Sequence, residues 1–196
     1  MILSNEQKEI LQKNDFWKGK YCFKYQLPWI TPESTIFIDK LLSDNMNVMN
    51  ECLEIGSGGS TLYLQNRCGN IVSIERDIKF CNNENIVHIS YIRELENFLQ
   101  NKKTLYNIVV LDSHLLDCKR EDIFHLIIKF FKLENSIFVI DNYNSSHQFP
   151  NINKLSHEEL RKNYFSDDFI IKDYDHPKWA RDSKGTRIIY HQNLIK

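Results

Sequence analysis

Apolar positions along the chain follow two successive rhythms. In the first part they recur at helical spacing. Ser4 and Gln7 pair as a capping box ahead of Ile10 and Leu11, which predicts a short surface helix over residues 4–14. An aromatic and basic stretch runs from Trp17 to Tyr25. Thr31 then stands as N-cap before Pro32, and Ile36, Phe37, Leu41 and Leu42 repeat at helical spacing until Ser43-Asp44-Asn45 breaks the pattern. From there short apolar runs alternate with helical segments. Glu51–Ile55, Ile71–Glu75, Ile86–Ser90, Asn107–Asp112 and Ser136–Asp141 predict strands, and helical patterns fill 60–68, 77–82, 92–101 and 118–132. Strands apolar on both faces and separated by helices predict a parallel sheet covered on both sides. Phe169–Tyr174 and Thr186–His191, joined by a loop containing Lys184-Gly185, predict a closing antiparallel hairpin. The expected fold is α/β: a doubly wound, mostly parallel, seven-stranded sheet in one domain over residues 1–196, with an N-terminal helical segment (1–45) and an α/β core (46–196).

Composition narrows the class. Hydrophobic residues are 42% of the 196 and charged residues 26%, which excludes a disordered chain or a disulfide-dense mini-protein. Lys+Arg 25 against Asp+Glu 26 leaves a net charge of −1, so no global field draws nucleic acid or anionic lipid. Ile123 to Phe131 is too short and too interrupted by His and Lys to span a bilayer. Glu6, Lys8 and Glu9 leave no apolar leader core. The cysteines number 5, without a CxxC pair, and read as buried or free thiols in a reducing compartment. A cytoplasmic location is expected.

In sheets of this kind ligands bind beyond the carboxyl ends of the strands, where strand order reverses. The first strand runs into Glu54-Ile55-Gly56-Ser57-Gly58-Gly59-Ser60-Thr61. Thr61 stands where a dinucleotide fingerprint needs its third glycine, and no Lys follows for a P-loop. The second strand ends on Glu75, placed to accept the two hydroxyls of a ribose. The bland alternative is a tight turn followed by a helix cap.

Glu54-x-Gly56-x-Gly58-Gly59 followed by Glu75 resembles motif I and the acidic second-strand end of class I S-adenosylmethionine-dependent methyltransferases, over roughly residues 28–145. The resemblance implies a Rossmann-like methyltransferase fold and S-adenosylmethionine (SAM) as cofactor. Glu54, Gly56, Ser57, Gly58, Gly59 and Ser60 would shape the methionine pocket, and Glu75 would hold the ribose. The usual acid at the third-strand end is absent, which leaves Ser90 or Tyr91 for the adenine.

Methyl transfer to a hydroxyl needs an aligned acceptor and a route for its proton, by a base or a metal. Asp112 ends the fourth strand and Asp141-Asn142 the fifth, an all-oxygen set suited to Mg²⁺. The set resembles the metal site of catechol-type O-methyltransferases, although Leu115 stands where those enzymes carry a catalytic Lys. Asp112 is thus a candidate for catalysis, cofactor or metal, and His114 a candidate base. Helix capping is the alternative for such strand-end acids. Trp29, Tyr143, Trp179 and Arg181 frame an expected acceptor site, with a solvated hairpin as the alternative for the basic loop 174–187, which also carries Lys178, Lys184 and Arg187. The reading is a SAM-dependent O-methyltransferase of a small hydroxylated or sugar-like acceptor. Its alternatives are a degenerate cofactor-binding or scaffold domain, or a protein or nucleic-acid methyltransferase. Nucleic acid is disfavoured by the charge balance, and the N-terminal helix with the aromatic stretch to Tyr25 is expected either to cover the domain's own sheet or to pair two subunits as a homodimer.

Overall fold

The computed structural model describes residues 3–13, 20–28, 30–175 and 185–195. The elements run α1 (Asn5–Leu11), α2 (Lys20–Tyr25), α3 (Pro32–Asn45), β1 (Glu51–Ile55), α4 (Gly59–Gln65), β2 (Asn70–Glu75), β3 (Ile86–His88), α5 (Ile92–Lys102), β4 (Ile108–Leu111), α6 (Arg120–Ile127), β5 (Ile137–Asp141), α7 (His157–Tyr164), β6 (Phe169–Tyr174) and β7 (Thr186–His191). They build a 7-stranded sheet in the order β3-β2-β1-β4-β5-β7-β6. The strands β1 to β5 pair in parallel, and β7 is inserted antiparallel between β5 and β6. The expected closing hairpin is present, with its second strand docked on the core. Strand order reverses between β1 and β4, and that pair defines the switch point of the sheet.

Period-two alternation explains why both faces are covered. On β4 and β5, Val109, Leu111, Phe138 and Ile140 enter one core with Leu95 and Leu99 of α5 and Ile123 and Phe124 of α6. Ile108, Val110, Ile137 and Val139 enter the other with Ile38, Leu41 and Leu42 of α3 and Tyr63 and Leu64 of α4. Each such buried side chain contributes about 1.5–3 kcal/mol of transfer free energy. Asp39 of α3 binds the second layer together: it accepts from Leu3 N at 2.8 Å, from Tyr63 Oη at 3.2 Å and from Arg67 Nε at 2.9 Å.

Several expected boundaries move, each for a local reason. The capping box of Ser4 and Gln7 forms, but α1 stops at Leu11. Thr31 occupies the N-cap position of α3 without capping through its side chain; its hydroxyl bonds Ser34 Oγ at 2.6 Å instead. The third strand ends at His88 rather than Ser90, because the main-chain N–H groups of Ser90 and Tyr91 turn to the Glu94 carboxylate at 2.9 and 3.1 Å. The helix expected over 77–82 is a single 3-10 turn, Ile78–Phe80, whose Ile78 and Phe80 are exposed and bury no face. The helix expected to reach residue 132 tightens into a 3-10 turn after Ile127. Two helices were not anticipated, α2 and α7; Ser156 and Glu159 cap the latter reciprocally. Among the described residues no helix is long and apolar enough to cross a membrane.

Candidate functional site

At the switch point the glycine loop leaves β1 beside the end of β4. Gly56 has φ +101°, and a Cβ there would lie 2.8 Å from Ser113 Cβ, so this position needs glycine for conformation and space together. The main-chain N–H groups of Asp112 and Ser113 donate to Ile55 O at 3.0 and 2.9 Å, which locks the two strand ends. Gly59 answers to a different neighbour. Its Cβ would stand 2.3 Å from Cys22 O and 2.4 Å from Leu27 O, so α2 and the turn after it press backbone against the start of α4. Gly58 faces more room, with Phe23 Cζ at 3.6 Å. Ser57, Gly58, Phe23, Leu62, Phe80 and Ile86 line a cavity of about 200 Å³ beside the loop. A larger cavity, about 540 Å³, lies at the opposite, amino ends of the strands between Glu51, Cys68, Asn70 and Tyr106, away from the strand-end acids.

Three carboxylates surround the loop. Glu54 is fully buried beneath it, accepting from Thr61 Oγ1 at 2.7 Å and from Ser73 Oγ. Burial pushes the Glu54 carboxyl up to about 7, against the hydroxyls of Ser60, Ser73 and Thr61, which hold it down. Glu75 accepts from Ser57 N at 3.0 Å, Ser57 Oγ at 2.8 Å and Asp77 N at 2.9 Å. It therefore braces the loop as well as presenting a carboxylate at its rim. Ser60 is buried at the start of α4, and its hydroxyl bonds the Glu54 carboxyl.

Asp112 is the third. Its side chain is 26% exposed and that of Asp141 only 5%, so the first is open to solvent and the second is covered. Burial raises both carboxyls above the usual range, Asp141 well above it, helped by the negative charge of Asp112. Thr186 Oγ1 donates to Asp141 Oδ1 at 3.2 Å while accepting from Thr31 N at 3.1 Å, which ties β5, β7 and α3 at one point. Asn142, with φ +54°, turns its amide nitrogen onto Asp141 Oδ2. Sequence reasoning missed the group that meets both acids, Arg120. Its Nη2 lies 3.8 Å from Asp112 Oδ1, and its Nη1 lies 3.9 Å from Asp141 Oδ2 and donates to Asp141 O at 2.8 Å. A guanidinium already sits against the oxygens that Asp112 and Asp141 would offer to Mg²⁺, so the expected metal set does not fit a metal with Arg120 in place. Among the described residues no group of three or more His, Cys, Asp or Glu is gathered to hold a metal ion.

His114 also meets an arginine. Arg76 Nη1 stands 2.7 Å from His114 Nε2. A guanidinium only donates, so Nε2 is the accepting nitrogen, and the lone pair a base would use is engaged. Burial, and then Arg76 and Arg120, lower the His114 pKa, which keeps the ring neutral. Ser90 and Tyr91 sit at the start of α5: Ser90 O accepts from Leu116 N at 2.9 Å, and Tyr91 is exposed. Tyr143 lies under the guanidinium of Arg187, 4.4 Å from its ring centre, and burial raises its hydroxyl to about 12. Arg187 in turn forks onto Asp173 at 2.7 and 2.8 Å, so this basic residue of the hairpin is a buried partner of Asp173 rather than a solvated one. Trp29, Trp179 and Arg181 lie outside the described residues.

No protein-family model matches the chain, and no curated protein matches it by sequence. The fold itself is shared with solved structures. One is the O-methyltransferase TomG from Streptomyces achromogenes in complex with SAM, with TM-score 0.57 and 16% identity over 92% of this chain and 90% of that one. An O-methyltransferase from Bacillus cereus in complex with S-adenosylhomocysteine (SAH) aligns with TM-score 0.54 and 15% identity, over 97% of this chain and 93% of that chain. The MycE methyltransferase in complex with Mg and SAH aligns with TM-score 0.54 and 13% identity, over 94% of this chain and 56% of the other. The chain has the Rossmann-like fold of these SAM-dependent methyltransferases.

Proposed function

We propose that this protein is a SAM-dependent methyltransferase that methylates an oxygen of a small hydroxylated acceptor. The observation that carries the reading is the gathering of Glu54, Glu75 and Asp112 around the glycine loop at the switch point of the sheet. SAM carries a sulfonium and an ammonium, and the Glu75 and Asp112 carboxylates beside a backbone that admits close approach suit such a cation. The bound SAM and SAH of the fold relatives support the same assignment.

SAM, held at the glycine loop and Glu75, would supply the methyl group to the acceptor oxygen, the broken carbon–sulfur bond leaving its electron pair on SAH. The acceptor proton goes to Asp112. That carboxylate is reachable, and its raised pKa brings its proton affinity toward the working pH, where a base is most effective. His114, neutral and anchored by Arg76, orients the rim instead of taking the proton. A Mg²⁺ on Asp112, Asp141 and Asn142 would be the catechol-type variant, and the Mg in MycE favours it; Arg120 stands against it.

Calorimetric titration with SAM and SAH tests the assignment. Micromolar binding that is lost in Glu75→Ala is the expected result. No binding at millimolar ligand would leave a scaffold domain with a methyltransferase fold.

A further inference from the structure

Asp112 and Asp141 close adjacent, parallel strands, β4 and β5, and their side chains meet at the strand ends. Two acids drawn together and largely withdrawn from water repel if both ionise, and a retained proton or a built-in counter-charge relieves them. Arg120 is placed for that purpose by local structure. It is the first residue of α6, and its own N–H donates to Gln148 Oε1 at 3.2 Å, which fixes the start of the side chain. The side chain is 12% exposed and returns over the strand ends, anchored at 2.8 Å on the main-chain oxygen of Asp141. The guanidinium thus has one fixed bond to backbone and lies within ion-pair distance of one oxygen on each acid.

A divalent cation on Asp112, Asp141 and Asn142 would meet the positive charge of Arg120 on the same two acids, and the Asn142 amide turns a donor, not its oxygen, toward Asp141 Oδ2. Metal and guanidinium are alternatives at this place. We infer that Arg120 is the resident cation of the acceptor subsite, standing where a divalent metal would otherwise sit, and that the acceptor is a single hydroxyl rather than a chelating pair of oxygens. A metal selects acceptors that offer it two adjacent oxygen ligands. A guanidinium held by two carboxylates and a carbonyl needs no such pair. The first half of the inference concerns the chain alone; the second rests on the methyltransferase reading.

The test compares the wild-type chain with Arg120→Gln, Arg120→Lys and the double variant Arg120→Gln/Asp112→Asn, titrating each with Mg²⁺ and with Mn²⁺. Calorimetry and thermal unfolding, in chelator and in millimolar metal, are the readouts. The wild type and Arg120→Lys should show no change of Tm with either metal. Removing the positive charge should raise Mn²⁺ affinity at least about tenfold, because an uncompensated carboxylate pair is a cation site. Tm of Arg120→Gln should fall in chelator and recover in metal, and the Asp112→Asn change should abolish the recovery. Metal binding to the wild type that depends on Asp112 would overturn the inference. So would a folded Arg120→Gln that gains no metal affinity. If that variant does not fold in chelator, refolding in Mn²⁺ supports the inference and failure to refold overturns it. SAH titration of the same samples keeps the two readings apart: loss of the metal pattern with SAH binding intact removes only the role of Arg120, and the reverse removes only the methyltransferase assignment.

Discussion

Ser57 grips Glu75 twice, through its main-chain N–H at 3.0 Å and its hydroxyl at 2.8 Å, both on the same carboxylate oxygen. The acid at the end of β2 thereby sets the shape of the loop leaving β1. Hydrogen bonds to a charged acceptor contribute about 1.5–3 kcal/mol each. Glu75→Ala should therefore lower stability by roughly 2 kcal/mol as well as abolish SAH binding. Glu75→Gln, which keeps an accepting oxygen, should recover stability before it recovers affinity. Urea unfolding and calorimetry on the two variants separate the effects.

The three loop glycines should respond differently to a methyl group. Gly59→Ala drives Cβ into the Cys22 and Leu27 carbonyls and should cost about 1–3 kcal/mol or more, with Tm falling by roughly 2–4 °C per kcal/mol. Gly56→Ala combines the φ of +101° with the Ser113 contact and should be comparably damaging. Gly58→Ala meets only ordinary contact with Phe23 and should stay within about 0.5 kcal/mol of wild type. Gly58→Val, which puts bulk beside the loop cavity, should weaken SAH by more than about tenfold while the protein remains folded.

Stability should fall as pH rises through the acid-to-neutral range. Glu54 has its folded carboxyl near 7 against an ordinary value of 4.5, so between these the folded state keeps a proton that the unfolded chain releases. The loss begins near the unfolded pKa and is complete above the folded one, amounting to about 3 kcal/mol for this group. Asp112 and Asp141, also raised, add to it with the same sign. Unfolding free energies measured from pH 4.5 to 8 should show this slope, and Glu54→Gln should make it shallower.

His114 should be a neutral ring protonated on Nδ1 at pH 7, with a pKa below 6.5, because Arg76 donates to Nε2. Nitrogen-detected NMR reports both tautomer and titration. His114→Gln should leave the pH profile of methyl transfer unchanged; a lost basic limb in that profile would return the base role to the imidazole.

Asp173 is held below the usual carboxylate range: burial pushes it up, but the bonds from Arg187 and His157 outweigh that. Asp173→Ala leaves Arg187 buried and unpaired, and should cost about 3–5 kcal/mol. Tyr143 packs against the same guanidinium, so its fluorescence should report the loss.

Most of the sheet was legible because its signal is local. Val109-Val110-Leu111 and Phe138-Val139-Ile140 are apolar at every position, which only a strand buried on both faces requires. The glycine loop and the acids at strand ends were legible for the same reason, since each lies where a strand stops. Arg120 was not. Nothing next to it in sequence points to Asp112 and Asp141; that contact exists only once the loop after β4 brings the start of α6 back over the strand ends. The absence of Lys at position 115 was the available hint that a positive charge had to come from elsewhere. Helix α7 escaped because Leu160 is its one buried side chain among those described, too little periodicity to register, although Ser156 and Glu159 spelled out its cap. The surroundings of His114 were not legible either, because residue type alone does not reveal that Arg76, just past the end of β2 and beyond the intervening β1, engages its Nε2 lone pair.

The pressure of α2 on Gly59 bears on how such loops diverge. A glycine in a cofactor motif is ordinarily taken as a mark of the ligand, yet here the backbone carbonyls of Cys22 and Leu27 alone forbid a side chain. The restriction is thus inherited from the N-terminal segment and not from chemistry. Relatives in which that segment is remodelled or runs elsewhere should be released from it, and residues 22–27 and 59 should change together as lineages separate, whether or not either lineage keeps the cofactor.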